Sequence, residues 1–511
     1  MHLSKSKYCS GVQCPKMLWL KKNKPEEFDE SVMNQAVLET GSEVGDLAMG
    51  LFGDYVEVPY GDLGKMIQKT QALLDAGTPI IAEASFSYEG LFCSVDILKN
   101  LGDYRVELYE VKSSTEAKPI YHQDVAYQVY VLTKLGFTVE KACLVHINNQ
   151  YVRHGELDLQ QLFTVAELTE DARKLQPDVE ENLARIAEYL SMPEEPADDI
   201  GLRCFNPYDC GFWKYCTREL PKPNVFDLAG ARKTTMFKCY NQGLVSFTDL
   251  NTCGLLNAKQ YQQVEHELFG YPPTIKVDAV KAFLSHLSYP LYFLDFESFQ
   301  PAIPPYDDCK PFMQIPFQYS LHYIEREGGE LKHKEFLAYP GADPRRALAE
   351  RLCEDIPLDV CTTAYNMAFE KTRIKELAAL YPDLADHLMN IHDHIQDLMI
   401  PFPTPGLLLP RHAGFVFHQV RPARPVPGRF DAGLSQSRGR PQRRRSNGYV
   451  QKNGHDGPRR TQNLATASVK ILLPRHLCDG QGVGEVEGEN RSDMKRFYLF
   501  IFLREQIRRL K

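Results

Sequence analysis

Residues 1–402 carry a regular pattern of hydrophobic and polar positions. Apolar residues repeat at helical spacing in four segments: residues 29–52, 62–76, 121–135 and 164–191. Residues 79–112 instead alternate with a period of two around a turn at Glu89-Gly90, which predicts consecutive strands. Helices mixed with strands in this way predict an α/β fold.

Prolines mark a boundary after this first pattern. Residues 221–226 read PKPNVF, and they separate a predicted first module, residues 1–220, from a small helical connector, residues 221–284. A second module, residues 285–402, opens with the apolar run LYFLDFESF at 291–299, which is typical of a buried strand. The chain therefore predicts two α/β modules joined by a helical connector.

The N-terminus and the cysteine content favour a cytoplasmic protein. The first 22 residues contain no apolar stretch of signal-peptide length, and the longest later apolar run, residues 498–503, is too short to cross a bilayer. We therefore expect no membrane segment. In a reducing compartment the thirteen cysteines are free, catalytic or metal-bound rather than paired in disulfides.

The net charge of -8 conceals two parts of opposite sign. Residues 403–511 contain 21 Lys and Arg against 8 Asp and Glu, or +13, whereas residues 1–402 contain 38 against 59, or -21. Pro, Gly and Arg dominate the tail, which is typical of a disordered basic segment that binds nucleic acid. The acidic body must instead bind phosphates locally, through a metal or through a partner.

Two carboxylates and a lysine are predicted to converge in the first module. On the strand YRVELYEVK, alternation places Glu110 and Lys112 on the same face. Asp96 lies at the end of LFCSVD, where a neighbouring strand would bring it beside Glu110. Carboxylate oxygens suit Mg²⁺ or Mn²⁺, and a lysine among them can orient or activate water, so the set fits phosphodiester hydrolysis.

The order of these residues resembles the PD-(D/E)XK nucleases of the RecB type. The matching positions are Gly90, Asp96 and the Glu110-x-Lys112 pair, followed by a helix. That helix carries a Gln-x3-Tyr motif in the family, and the resemblance implies a role in placing DNA. Gln123 and Tyr127 fit the spacing, while Gln128 has the more usual surroundings, so both assignments stay open. The family's first helix often carries Gly-x-x-x-His, where this chain has Gly45 and Asp46.

Four cysteines form a second candidate site. Cys204, Cys210 and Cys216 are evenly spaced in RCFNPYDCGFWKYC, and Cys14 lies far away in QCPKMLWL, with Cys9 as an alternative to it. Four thiolates can saturate an iron-sulfur centre or a zinc ion. The arrangement resembles RecB-like nucleases of CRISPR adaptation and AddB, which implies a [4Fe-4S] clamp around the nuclease core. Zinc remains the alternative.

The second module contains a further set of acids: Asp295, Glu297, Glu370 and Asp397. Asp295 and Glu297 alternate onto one face of an apolar strand, where a bound cation would offset the cost of burying them. With Asn366 and Phe369 preceding Glu370, the order resembles ribonuclease-H-like DEDD exonucleases of the DnaQ type. The second motif of that family ends in Asp rather than Glu, and its third motif is absent here.

Together the modules resemble a bacterial family that fuses a RecB-like nuclease to a ribonuclease-H-like domain. The expected fold class is therefore a PD-(D/E)XK restriction-endonuclease-like core with an iron-sulfur clamp, followed by a truncated ribonuclease-H-like α/β domain. The resemblance implies a metal-dependent nuclease, an exonuclease acting on DNA ends or single strands in repair, recombination or defence. DNA is favoured over RNA, and without a Walker A pattern any unwinding needs a helicase partner.

Two other functions fit the same residues. In a non-catalytic nucleic-acid-binding or adaptor protein, the cysteine site is structural and the acids are relics. In a redox sensor, an accessible cluster is the functional group. Lys112 separates the first alternative from a nuclease, because a binding protein does not need a lysine among carboxylates whereas hydrolysis does.

We hypothesise that the tail reflects a shift of reading frame near Phe402. Read one base later, the codons for residues 412–420 can encode MQGSFSIKS, and those for 479–487 can encode the amphipathic MVKVWEKL. The same frame permits an Asp-Thr pair across residues 474–476, where the resembled family places its final acid. As the chain stands, the second module therefore lacks a carboxylate, and we expect it to be inactive and poorly folded. The encoding DNA would test this hypothesis.

Overall fold

The computed structural model describes residues 2–32, 35–271 and 277–400. The predicted change of reading frame near Phe402 and the basic tail, residues 403–511, lie outside the described residues. Within the described ranges the chain is an α/β protein with two mixed β-sheets. No helix in these ranges combines the length and the apolar character needed to cross a membrane.

The first sheet has seven strands: β1 Leu3–Ser4, β2 Val56–Glu57, β3 Ile80–Tyr88, β4 Leu91–Gly102, β5 Arg105–Lys112, β6 Thr138–Ile147 and β7 Phe163–Glu167. Strands β2 to β7 follow one another across the sheet, and β1 pairs with β4. The pairs β1 with β4, β2 with β3, and β5 with β6 are parallel, and the others are antiparallel. The sequence therefore predicted β3 to β5 correctly, because they alternate and are joined by tight turns.

In the described part of this module the α-helices are α1 Lys5–Gln13, α2 Pro15–Asn23, α3 Gln35–Ala48, α4 Leu63–Asp75, α5 Pro119–Lys134, α6 Leu159–Leu162, α7 Thr169–Lys174, α8 Gln176–Ser191 and α9 Trp213–Cys216. Short 3₁₀ segments occupy Pro25–Glu27, Glu30–Val32, Met49–Phe52 and Leu202–Phe205. Helix α5 connects the parallel strands β5 and β6, so it lies over one face of the sheet.

The predicted single helix over residues 164–191 is wrong in its first part. Residues 163–167 form β7, which pairs antiparallel with the end of β6, and two helices follow. The segment FTVAE contains two β-branched residues, and its pairing with β6 outweighs the helical spacing of its apolar positions. Only Phe163 of this strand is fully buried, as expected of a strand at the sheet edge.

Two cores enclose the first sheet. Val106 and Leu108 of β5 pack with α1, α5 and α8 on one face, whereas Tyr109 and Val111 pack with α3 on the other. Alternation along β5 therefore places Glu110 on the face that α5 covers.

The connector between the sheets contains α10 Lys233–Tyr240, α11 Phe247–Leu250, α12 Ala258–Phe269 and α13 Val277–Leu284, with a 3₁₀ turn at Val225–Asp227. Helices α10 to α12 have a small apolar core of their own, which includes Met236, Phe247 and Val264. Side chains of Asn257 and Ser246 cap α12 and α11. The connector is therefore helical, as its sequence predicted.

The second sheet has five strands: β8 Leu291–Phe299, β9 Ile315–Ile324, β10 Lys332–Leu337, β11 Cys361–Ala364 and β12 Ile395–Asp397. Its order is β10-β9-β8-β11-β12, with β9 antiparallel to both of its neighbours and the three strands β8, β11 and β12 mutually parallel. Helices α14 Arg345–Asp355, α15 Ala368–Leu380 and α16 Ala385–Asp393 share a core with one face of this sheet.

A loop of the second sheet packs against the first. Residues 300–314 connect β8 to β9, and Ala302 of this loop lies in the apolar core beneath β5 and β6. The guanidinium Nη1 of Arg153 donates to the carbonyls of Pro304 and Pro305 at 3.0 and 2.9 Å. A cavity of about 760 Å³ lies between this loop and the segment that follows Lys112.

Candidate functional site

Three carboxylates meet on the face of the first sheet that α5 covers. Register places Asp96 of β4 beside Glu110 of β5, since Ile97 pairs with Tyr109. Asp96 Oδ2 accepts a hydrogen bond from the backbone N–H of Val111 at 2.6 Å. The third carboxylate is Asp124, on the first half of α5, and both Glu110 and Asp124 are buried.

Two lysines and a glutamine bind these carboxylates. Lys112 Nζ lies 2.5 Å from Glu110 Oε1 and 2.6 Å from Asp124 Oδ2. Lys5 Nζ, from the first residue of α1, lies 2.8 and 2.7 Å from the two oxygens of Glu110. Gln128 Nε2 donates to Glu110 Oε2 at 2.7 Å. The structure thus brings Asp96, Glu110, Lys112 and Gln128 together and adds Lys5 and Asp124 to them.

The charges perturb one another in opposite directions. Burial alone would raise the pKa of Glu110, but the ammonium groups of Lys112 and Lys5 outweigh it and hold that pKa well below its usual range. Burial and the Glu110 charge raise the pKa of Asp96 to about 7, and they also raise the pKa of Asp124. Perturbed, mutually dependent carboxylates of this kind are typical of functional sites.

The glutamines and the tyrosine of α5 separate into two environments. Gln128 faces the carboxylates, whereas Gln123 Oε1 accepts a hydrogen bond from Tyr8 OH at 2.8 Å. Tyr127 stacks on Tyr8 with ring centroids 4.7 Å apart, and its hydroxyl donates to the carbonyl of Leu3 at 2.7 Å. Gln123 and Tyr127 therefore hold the N-terminal segment, and Gln128 is the glutamine at the carboxylates.

Sequence reasoning missed three residues of this site: Lys5, Asp124 and Glu83. Asp124 follows Gln123 directly and lies four residues before Gln128, so that Asp124 and Gln128 share one face of the helix. This spacing was the available signal. Glu83 interrupts β3 with a positive φ of 58°, and it lies near enough for its charge to raise the pKa of Asp96. A non-glycine residue at positive φ inside a strand is uncommon and concentrates at functional sites.

Helix α3, which carries Gly45 and Asp46, lies away from the carboxylates. Val44 of α3 packs against the Tyr109 and Val111 face of the sheet, opposite Glu110. Asp46 of the same helix is exposed. Neither Gly45 nor Asp46 therefore joins the carboxylates. The helix near the N-terminus that does contribute a residue to them is α1, through Lys5.

The four predicted cysteines share one apolar cluster. Cys204 and Cys210 are buried in it, and Cys14 and Cys216 pack against its edge. The Cys210 N–H donates to the carbonyl of Cys204 at 2.8 Å, which fixes the turn between them. Burial raises the pKa of the Cys210 thiol to about 11 and also raises those of Cys204 and Cys216. The alternative, Cys9, belongs instead to the core near α5.

The donor set at this cluster suits a metal centre by its chemistry. All cysteines in the described ranges are free thiols, and two distant segments bring four of them into one apolar region. Across the described ranges, however, no three His, Cys, Asp or Glu side chains are arranged so that they could hold a metal ion. The suitability of these residues for a metal therefore rests on the chemical type of the thiols and carboxylates and on their convergence, and not on a formed coordination geometry.

The acids of the second module lie on three elements, β8, β12 and α15. Asp295 and Glu297 pair with Ser320 and Gln318 of β9, on the face away from the helices α14 to α16. Asp397 ends β12, and its Oδ1 accepts hydrogen bonds from the N–H groups of Asn366 and Met399. Glu370, in the first turn of α15, is buried.

Parallel pairing places two of these acids near the same end of the parallel strands. Thr363 of β11 pairs with Phe293 of β8, and Ala364 pairs with Asp397 of β12. Asp397 is the last residue of β12, and Asp295, in the middle of β8, lies just past the level of Ala364, the last residue of β11. Both acids are therefore near the carboxyl end of the parallel part of the sheet, the usual location of a site in such sheets.

Residues 292–416 match the model of a domain of unknown function, DUF2779. The match begins in β8 and extends beyond the described residues, past Phe402. It covers about a quarter of the chain, the part that contains the second sheet. No curated protein matches the chain.

Proposed function

We propose that the chain is a metal-dependent nuclease whose hydrolytic site is formed by Asp96, Glu110 and Lys112. The observation that carries the proposal is the convergence of three carboxylates, Asp96, Glu110 and Asp124, two of which bind the ammonium group of Lys112. A buried set with more acids than a structural ion pair requires is suited to binding a divalent cation.

Each residue has a distinct role in this proposal. Asp96 and Glu110, with Asp124 beside them, would hold Mg²⁺ or Mn²⁺, which when bound stabilises the charge that develops on the phosphate. Lys112 lies against Glu110 and Asp124, where its ammonium group can orient the attacking water. Gln128 fixes Glu110 by its hydrogen bond at 2.7 Å, so we assign it a positioning role.

We also propose a fold family for each of the two modules from the same residues. Acids on two adjacent antiparallel strands, with a crossover helix after the second, support a PD-(D/E)XK restriction-endonuclease-like core of the RecB type in residues 1–220. Acids on the central strand of the mixed second sheet support a ribonuclease-H-like domain in residues 285–402. We assign hydrolysis to the first module, because Lys112 lies directly against two of its carboxylates.

The substrate we propose is DNA, at ends or in single-stranded form. The net charge of residues 1–402 is -21, so contact with phosphates must be confined to the site and its approaches. The cavity beside the segment that follows Lys112 is one such approach, and Lys118 and Lys310 line it together with three acids. Unwinding of duplex DNA would require a helicase partner.

A cysteine-bound centre accompanies this activity in our proposal. Cys14, Cys204, Cys210 and Cys216 would hold a [4Fe-4S] cluster, or zinc in its place, joining the end of α1 to the segment before the connector. Such a centre would supply folding free energy by linking segments that are about 190 residues apart in the chain.

Cleavage of end-labelled DNA and RNA, single- and double-stranded, with and without Mn²⁺, tests the nuclease. We expect metal-dependent cleavage that falls by at least about a hundredfold in Asp96→Asn and in Lys112→Met. Lys141→Met is the matched control, because Lys141 lies on the neighbouring strand β6 and pairs with Glu107 away from the site. A wild-type protein that cleaves no substrate with any divalent metal would refute the nuclease.

Iron and zinc analysis of protein purified without oxygen tests the cysteine centre. We expect one cluster or one zinc ion per chain, and its loss in Cys210→Ser. Cys239→Ser is the matched control, because Cys239 is also buried but lies in the connector core. Wild-type protein with neither iron nor zinc would contradict this part of the proposal.

One observation favours a non-catalytic adaptor as the second candidate. Lys5, Lys112 and Gln128 already bind Glu110 on both of its oxygens, as a purely structural ion cluster would. An adaptor should bind nucleic acid without cleaving it, both as wild type and as Lys112→Met, whereas a nuclease should cleave as wild type and lose cleavage but not binding in Lys112→Met. Filter binding of the wild-type protein tests whether it engages nucleic acid, and the cleavage assay beside it separates the two functions.

A further inference from the structure

The N-terminal segment is held firmly in the first sheet. Strand β1 pairs parallel to the start of β4, and the Leu3 N–H donates to the carbonyl of Gly90 at 2.9 Å. Tyr127 OH binds the Leu3 carbonyl from the other side, and the Ser4 hydroxyl caps α1. Lys5 follows directly, so its position is set by backbone pairing and not only by its own charge.

The ammonium group of Lys5 lies among all three carboxylates. Besides its bonds to both oxygens of Glu110, its Nζ is 3.9 Å from Asp124 Oδ1 and 4.0 Å from Asp96 Oδ1. The side chain is 18% exposed, so solvent screens these attractions only partly. Lys5 thus has the carboxylate contacts that a bound cation would have.

The hydrogen bonds to Glu110 leave it no free acceptor position. A carboxylate offers about four lone-pair sites, two on each oxygen. Lys5 and Lys112 bind Oε1 at 2.8 and 2.5 Å, and Lys5 and Gln128 bind Oε2 at 2.7 Å each. Glu110 can therefore ligate a metal only when one of these donors leaves, and Lys5 is the donor that engages both oxygens.

We infer that Lys5 is a built-in competitor for the divalent cation: its ammonium group and the metal occupy the same carboxylates in turn. The inference rests on the proposed function, in which these carboxylates bind Mg²⁺ or Mn²⁺. The strength of the Lys5 contact then sets the metal concentration at which the site fills. Displaced Lys5 would be free at the mouth of the site, next to the place where a phosphate must bind.

Manganese binding by the full chain, freed of divalent cations, tests this inference without an activity assay. Free Mn²⁺ is followed by electron paramagnetic resonance during a titration of wild type, Lys5→Met and Lys7→Met. Methionine keeps most of the side-chain stem and removes the charge. Removing a cation about 3 Å from a ligand should tighten Mn²⁺ binding at least about tenfold in Lys5→Met. Lys7 is exposed on the same helix, so Lys7→Met should bind like wild type.

A second measurement uses wild-type protein, so it does not depend on the folding of a variant. A short pulse of an amine-reactive acetylating reagent, followed by mass spectrometry, reports the accessibility of each lysine. Modification of Lys5 should rise severalfold as Mn²⁺ saturates the site, while modification of Lys7 stays constant.

The outcomes separate this inference from the proposed function. Tighter binding in Lys5→Met, or rising modification of Lys5 with Mn²⁺, supports competition. If wild type and Lys5→Met bind Mn²⁺ equally, or Lys5→Met binds it more weakly, and Lys5 modification is unchanged, the competition is refuted and the metal site stands. If neither protein binds Mn²⁺, the proposed function fails and the inference fails with it.

Discussion

Replacing Glu110 with glutamine removes the negative charge on which the ion cluster of the first module is centred. We expect Glu110→Gln to lower the free energy of unfolding by about 3–5 kcal/mol, the usual cost of removing one partner from a buried ion pair. The shape of the side chain is kept, so this loss reports charge and hydrogen bonding and not a cavity.

The magnitude follows from the contacts of the carboxylate. Glu110 is 1% exposed and accepts from Lys5, Lys112 and Gln128. Hydrogen bonds to charged groups contribute about 1.5–3 kcal/mol each, so the sum over these donors would exceed the expected loss. The loss is smaller because Asp124 remains as a counter-charge, 2.6 Å from Lys112 and 3.9 Å from Lys5.

Urea unfolding followed by circular dichroism measures the change. Glu140→Gln is the matched control, because Glu140 forms an exposed pair with Arg105 at 3.1 Å on the same sheet. Exposed pairs contribute about 0–1 kcal/mol, so this variant should unfold almost like wild type. If Glu110→Gln is destabilised by no more than Glu140→Gln, Glu110 is not the centre of a buried charge cluster, and the electrostatic reasoning is refuted.

Other consequences of the fold can be tested separately. Arg153→Ala should accelerate limited proteolysis within residues 300–314, because two loop carbonyls lose their donor; an unchanged rate would contradict this contact. Burial and a neighbouring histidine lower the pKa of His322 to about 4, so the unfolded state binds its proton first and stability should fall from pH 6.5 to pH 4, by up to about 3 kcal/mol. His322→Gln should flatten this dependence in urea unfolding at the two pH values. Gly11→Ala should destabilise by about 1–3 kcal/mol, since its Cβ would lie 2.4 Å from a neighbouring side-chain carbon, whereas Gly45→Ala meets nothing within 4 Å and should stabilise by about 0.5–1 kcal/mol; equal thermal melts would contradict both.

The elements around the first site were predictable where local periodicity is strong. Alternation along residues 105–112 predicted the strand and the common face of Glu110 and Lys112, and the 2.5 Å contact between them confirms it. The turn at Glu89-Gly90 confirms the hairpin on which Asp96 lies. These features depend on neighbours within a few residues, which sequence patterns describe directly.

The remaining contacts of the site depend on distant pairing. Lys5 is 105 residues from Glu110, and the parallel strand that delivers it is only two residues long, too short for a periodic signal. Sequence reasoning did not single out Asp124, because its contacts with Lys112 and Lys5 form only when α5 packs on the sheet. Residues 164–167 misled the helix prediction for the same reason, since their strand partner lies in β6, which no pattern had predicted.

One helix connects the two candidate sites of the first module. Lys5 begins α1 at the carboxylates, and Cys14 caps its other end at the cysteine cluster, about 13 Å away at 1.5 Å per residue. Gln13 Nε2 donates to the carbonyls of Arg203 and Tyr208 at 2.8 and 2.7 Å, which ties this end of α1 to the segment that carries Cys204. A bound centre would order that segment and with it the acceptors of Gln13. Strand β1 already fixes Lys5 at the start of the helix, so a bound centre would add a second anchor at the other end of α1 and hold the backbone of Lys5 more firmly beside Glu110.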